Sequence, residues 1–329
     1  MLFRSAEIDV NVGILGLIGG VLPMAGRVDL ATGTTLRMEM GNTDDLGGRI
    51  RLDAGAAVTL AVASDVSFAS SLTVAGAGSA AMTKTGAGKL TLAADNTAIA
   101  GGFTVAQGTL DVTHVLGLGT ANVTVNGGLL TVNATIANTV NVTSGAALGG
   151  AGSVATASVA AGATLAPGNS AGQLTFGALV LAGNSTFEWQ VQNATNATTG
   201  YDRLVVTGNL DLRQASLNNK INLRLVSLLG AGDGNTLGNP LNFDPPGIAA
   251  QPTVFQFATV GGVLLNSGEN ISDVFRFDVT DFRYSNGSLS NAGLWSIDWN
   301  VGTGAITLTA VPEPSTYGFA MGALALAAA

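Results

Sequence analysis

Between residues 105 and 187 the chain repeats one short unit. An aliphatic residue is followed three positions later by glycine or asparagine, and within three more by leucine or phenylalanine. The unit reads VAQGTL from Val105, VNGGLL from Val125, VTSGAAL from Val142, VAAGATL from Val159 and LAGNSTF from Leu181. Its corner residues are Gly108, Gly128, Gly145, Gly162 and Asn184, and successive units start 20, 17, 17 and 22 residues apart. Glycine and asparagine tolerate a left-handed backbone, so each unit reads as a short strand, a sharp corner and a second short strand. Strands this short bury too little apolar surface to stand alone, and stacking successive units is what covers it.

The period selects the architecture. A repeat near 20 residues fits one turn of a parallel β-helix, with each coil about 4.8 Å above the last and its inward side chains forming apolar ladders. Leucine-rich repeats share the period but need several leucines and a helical side, which these Thr/Val/Asn/Gly units lack. A two-sheet sandwich is the competing arrangement, because the alternation in Ala121-Asn122-Val123-Thr124-Val125 suits either. Charge favours the stack. No Asp, Glu, Lys or Arg occurs from Val112 to Phe187, and charged residues are 10% of the chain, against about 25% in ordinary globular proteins. Stacked coils satisfy one another's backbone and leave Thr and Asn to form outer ladders. A net charge of −8 with three lysines argues against nucleic acid as a partner, since phosphate neutralisation needs clustered cations, and no such role is expected. The absence of cysteine excludes disulfides and thiolate metal sites.

Residues 82–110 carry a resemblance. Met82-Thr83-Lys84-Thr85-Gly86-Ala87-Gly88-Lys89-Leu90-Thr91-Leu92, then Asn96, Gly101-Gly102-Phe103-Thr104-Val105 and Gln107-Gly108-Thr109-Leu110, resemble the autotransporter-associated β-strand repeat, K-x-G-x-G-x-L-x-L followed by G-G-x-x-V and G-x-L. Further on, Leu165-Ala166-Pro167-Gly168-Asn169-Ser170, Gly172, Leu174 and Tyr201-Asp202-Arg203-Leu204-Val205-Val206 are similar to the later coils of autotransporter-like passenger proteins. The resemblance covers roughly residues 82–212. It implies a right-handed parallel β-helix that is exported, and it implies no catalysis, because the repeat describes a scaffold.

Composition changes after Leu212. Phe255, Phe257, Phe275, Phe277, Phe282, Tyr284, Trp295 and Trp299 gather there, many at alternate positions as in Val274-Phe275-Arg276-Phe277-Asp278-Val279. Such alternation reads as half-buried strands. The expectation is an aromatic-rich β cap that closes the end of the solenoid; an aromatic glycan-binding platform is the alternative. The expected organisation is therefore a β-helix region over 1–212, a cap over 213–310 and a tail over 311–329.

Candidate chemistry is sparse. His114, with Asp111 nearby, reads as a coil residue rather than half of a triad. Asp44-Asp45 reads as a solvated turn, with no third carboxylate at calcium-ligand spacing, and Asp273, Asp278 and Asp281 follow no calcium-loop pattern. Asp53, Asp65, Asp95 and Asp111 are scattered, whereas a polysaccharide-active site on a β-helix needs carboxylates gathered on one face. No catalytic residue, metal or cofactor is expected, and the chain is not expected to be an enzyme.

The tail supplies an address. Gly318–Ala329 offers 12 apolar or small residues, roughly 18 Å as a helix, against the about 30 Å of a bilayer core. It follows Val311-Pro312-Glu313-Pro314-Ser315-Thr316, and the combination resembles the PEP-CTERM sorting signal, in which this motif precedes a transmembrane helix and a basic cluster. The short helix and missing basic residues read as a truncated signal. At the other end Glu7 and Asp9 replace the basic start of an export signal, so both ends read as clipped. The resemblance implies export, an exosortase-type processing enzyme as partner, membrane contact only through the tail, and a place on the surface or in the matrix of a Gram-negative-type bacterium. The leading expectation is a noncatalytic structural or adhesive β-helix, with exopolysaccharide or a cell-surface glycan as partner. The passenger of a type V autotransporter and a polysaccharide-active enzyme are the alternatives.

Overall fold

A computed structural model describes residues 7–19, 26–76, 78–230, 236–243, 253–283 and 292–310. Most consecutive strands there pass from one sheet to another, and those inside a sheet pair with strands of the coils before and after. The first strands alternate between a short sheet (Glu7–Val10, Arg27–Leu30, Ile50–Leu52, Thr73–Val74) and a long one that opens with Ile14–Leu17, Thr35–Met38 and Ala57–Val62. From Val66–Phe68 onward a third sheet takes over. The chain then alternates between it and the long sheet through Ala81–Thr85, Lys89–Leu92, Gly102–Val105, Thr109–Val112 and their successors. The result is the all-β stack of parallel coils that the repeat spacing predicts.

Register shows what holds the stack. Val105, Val125, Val142, Val159 and Leu181 are successive partners in the long sheet. Leu90, Leu110, Leu130, Leu148, Leu165 and Phe187 are successive partners in the third. All are buried and belong to one core that runs from Val10 to Ala310. Fully burying each such side chain contributes about 1.5–3 kcal/mol. On the outer face, Thr35, Thr59, Thr83, Thr104, Thr124, Asn141 and Ser158 form a row in register, so hydroxyls and amides keep the surface polar where charge is absent. A slip of one residue would exchange these two rows. The 17 to 22 residue variation in repeat length is absorbed in the corners and loops and, in part, by a one-residue register shift between Ile136 and Thr139 of one strand.

Parallel pairing continues past Leu212. Thr186–Val191 pairs with Ile221–Ser227, which pairs with Phe275–Asp281, and Arg203–Val206 pairs with Thr253–Val260. Antiparallel strands enter only at the end, where Thr253–Val260 takes Ala305–Ala310 and that strand takes Trp295–Asn300. The aromatic residues are mostly core. Trp189 meets Phe255 at 4.9 Å between ring centroids, Phe282 meets Trp295 at 4.9 Å, and Phe187 meets Phe257 at 4.8 Å. Rings from the last coils thus interlock with those of the antiparallel end, in the tilted and edge-on arrangements that aromatic quadrupoles favour. Tyr284 lies outside the described residues.

Candidate functional site

The corners come first, because they carry the repeat. Gly108, Gly145, Gly162 and Asn184 have φ of 66°, 81°, 76° and 60°, the left-handed backbone expected of them. Gly128 departs from that expectation: its φ is not positive. Glycine is needed there for space instead, since a Cβ would stand 2.6 Å from Gly108 O and 2.9 Å from Val105 Cγ1.

Lys84 shows what the lysine-glycine part of the motif does. It occupies an inward position of the long sheet, in register with Leu60 before it and Val105 after it, where neighbouring coils place aliphatic residues. The side chain is fully buried. Its ammonium donates to the carbonyls of Gly86 at 2.7 Å and Gln107 at 2.9 Å, and to that of Gly88. Two of these belong to the corner that follows Lys84, and the third to the next coil, so one cation joins both. The two glycines let the corner turn its carbonyls inward. Gly86 has φ 77°, and a Cβ on Gly88 would lie 2.7 Å from the Ser64 backbone. Burial pulls the Lys84 pKa down to about 8 from the ordinary 10.5, with the charge of Asp65 opposing it.

A second buried charge ties the later coils. Asp202 is fully buried and accepts from Gly172 N and Gln190 N, each at 2.8 Å, while its own carbonyl accepts from Trp189 Nε1 at 2.8 Å. It thereby fastens the Gly168–Gly172 turn and strand Thr186–Val191 to the Tyr201–Val206 segment. Burial pushes its carboxyl well above the usual range, against the two backbone N–H groups. A carboxyl raised in the fold gives stability that is complete below its unfolded pKa and is lost as pH rises through the folded one. Asp202→Asn removes that titration and leaves one backbone N–H facing an amide. We expect a thermal midpoint below that of the wild type at pH 4, and a smaller fall between pH 4 and pH 7, in parallel melts.

Asp53, Asp65, Asp95 and Asp111 each sit in local surroundings of their own. Asp53 sits in an exposed turn, Asp65 accepts from Lys89 N, Asp95 from Thr97 N and Asp111 from Asn133 Nδ2. His114 Nδ1 accepts from Leu116 N at 3.1 Å and caps its own turn. Asp45 accepts from Gly47 N and Ala69 N, which makes GNTDDLGG a hydrogen-bonded turn. Among the described residues, Glu7, Asp9 and Asp29 do lie close enough to share a cation. Two guanidinium groups already stand among them: Arg27 and Arg51 each bridge Asp29 and Glu7, with Arg51 Nη2 2.5 Å from Asp29 and 3.3 Å from Glu7. Burial pushes the Asp29 carboxyl up, but the hydrogen bonds from Arg51 and Arg27 outweigh it and hold it below the usual range. Near the other end Arg224 bridges Glu188 and Asp281. Both sets are outer-face ties between coils. Sequence reasoning missed them because every pair but Arg27–Asp29 joins residues 20 to 57 positions apart.

The segment read as a sorting motif, Val311, Pro312, Glu313, Pro314, Ser315 and Thr316, with the tail after it, lies outside the described residues. Among those described, no helix is long and apolar enough to cross a membrane. The family model of the passenger-associated-transport-repeat matches residues 82–112. That span begins two residues before Lys84, contains its three carbonyl partners, and ends with strand Thr109–Val112, so the matched unit is the ammonium-clipped coil. No curated protein matches the chain.

Proposed function

We propose that this chain, built around a passenger-associated-transport-repeat, is an exported, noncatalytic protein of the cell surface or extracellular matrix whose coil stack acts as a structural or adhesive element. The carrying observation is the match at residues 82–112, set in a stack with an outer row of hydroxyls and amides and buried charged side chains that tie coils together. A scaffold of this kind presents a long, regular, weakly charged surface suited to uncharged polymers and to other surface proteins. The motif Val311–Thr316 supports a finer reading, in which an exosortase-type enzyme processes the tail and releases or re-anchors the rest. Intact-mass and C-terminal peptide mapping of the native protein, from cells and culture supernatant of its source, tests this. The expected outcome is an extracellular form ending close to Pro312.

A second reading keeps export and changes the route: the chain is the passenger of a type V autotransporter. The repeat match itself favours it, since the family is passenger-associated. The same mapping discriminates. A native protein that continues into alternating strands of about ten residues would carry a barrel, and the tail reading would fall.

A further inference from the structure

One aromatic side chain at the antiparallel end is not absorbed by the core. In strand Trp295–Asn300 the inward positions are Trp295, Ile297 and Trp299; the first two are buried, while Trp299 reaches the end of the core and remains half-buried. Beside it the short helix Ile271–Val274 packs on the same strand, and the loop before that helix leaves a cleft of about 460 Å³. This lies within the roughly 300–1,000 Å³ common for small-ligand sites. The lining includes Trp299, Asn266, Glu269, Asn270, Ser272 and Asp298.

We propose that this cleft binds an uncharged pyranose unit of a glycan, with the sugar's C–H face against Trp299 and its hydroxyls on Glu269 and the amides of the loop before the helix. An indole face with directional acceptors beside it suits a ring that is apolar on one face and hydroxylated at its edge. The acceptors have capacity to spare. Glu269 uses Oε2 to accept from Leu217 N, and Asn270 uses its amide nitrogen on Asp273, which leaves Glu269 Oε1 and the Asn270 carbonyl oxygen for a ligand. With the Glu269 carboxylate and no basic residue in the lining, an anionic sugar is repelled. A quaternary ammonium group is disfavoured for a different reason: one ring makes half a cage, and the amides and hydroxyl would have nothing to bond. The uncharged groove of about 290 Å³ over Gly149 and Ala166 has no aromatic floor and carries no comparable case.

The proposal rests on the adhesive reading for where the glycan comes from, not for the site itself. Titration calorimetry with the purified chain, using cellohexaose, maltohexaose and mannohexaose against polygalacturonate, tests it. At least one neutral oligosaccharide is expected to bind and polygalacturonate is not. Trp299→Ala is expected to weaken binding at least about tenfold, Trp299→Tyr to restore most of it, and Glu269→Gln, which keeps an acceptor for Leu217 N, to weaken it several-fold. No binding by any neutral oligosaccharide, wild-type affinity in both Trp299→Ala and Glu269→Gln, or preference for polygalacturonate overturns the site. Those results leave export untouched, while a chain that binds glycan but stays inside its cell leaves the site standing and removes the proposed function.

Discussion

Gly108→Ala is expected to lower stability by about 3 kcal/mol or more, while Gly145→Ala, at an equivalent corner, costs no more than about 1.6 kcal/mol. Both glycines are left-handed, with φ of 66° and 81°, so both substitutions carry the same backbone strain of about 1–2 kcal/mol. Part of that strain is offset by about 0.4–1 kcal/mol, because alanine restricts the unfolded chain. What separates them is the surroundings. Around Gly145 nothing lies within 4 Å of an added Cβ. At Gly108 the Cβ would overlap the Gly86 carbonyl oxygen and stand 2.8 Å from Gly88 O and 2.5 Å from Lys84 Nζ. The ammonium can swing away, but two backbone carbonyls of the preceding coil cannot, so the coil must shift or the clip must open. Denaturant midpoints for the two variants check this. Equal shifts would mean that the Gly108 corner relaxes freely and that the clip is loose.

The contrast also marks what can be read from the sequence. Valine and leucine at a spacing near 20 residues identify the ladders, because a stack in register has one solution that keeps both Val105–Leu181 and Leu110–Phe187 inside. Corners are legible as glycine, but not the reason for each glycine. Gly108 and Gly145 look alike in sequence, and Gly128 is held by crowding rather than by its φ. Lys84 is visible as a motif residue, and nothing local says that it points inward, since a lysine among threonines reads as solvated. The Asp202 latch joins residues 12 and 30 positions away, and Arg224 reaches 36 and 57. Such separations are set by how many coils intervene, which no local pattern encodes. The aromatic alternation near the end is legible as buried strand, yet only the last step of one strand, Trp299, is left facing a cleft.

Lys84→Met is expected to cost about 3 kcal/mol at pH 7, and the cost is expected to grow as pH rises toward 10. Methionine suits the register, since Leu60 and Val105 flank the position, and it removes the expense of burying a cation. Against that, three backbone carbonyls lose their donor, and the Gly88 hydrogen bond is the buried one. An unsatisfied buried acceptor costs about 1–3 kcal/mol; the other two are closer to solvent and recover part of theirs from water. The pH dependence follows from the lowered pKa, about 8 in the fold against the ordinary 10.5. Between those values the unfolded chain holds its proton and the folded one releases it, so the wild type gains stability as pH rises, by about 1.4 kcal/mol per unit at most. Below pH 8 that contribution is lost. The methionine variant has no such titration, and the difference between the two midpoints should widen from pH 7 to pH 10. A difference that narrows instead would mean that the carbonyls hold the ammonium more strongly than burial weakens it. Lys84 would then be a permanent cation, and this coil would come apart on the alkaline side.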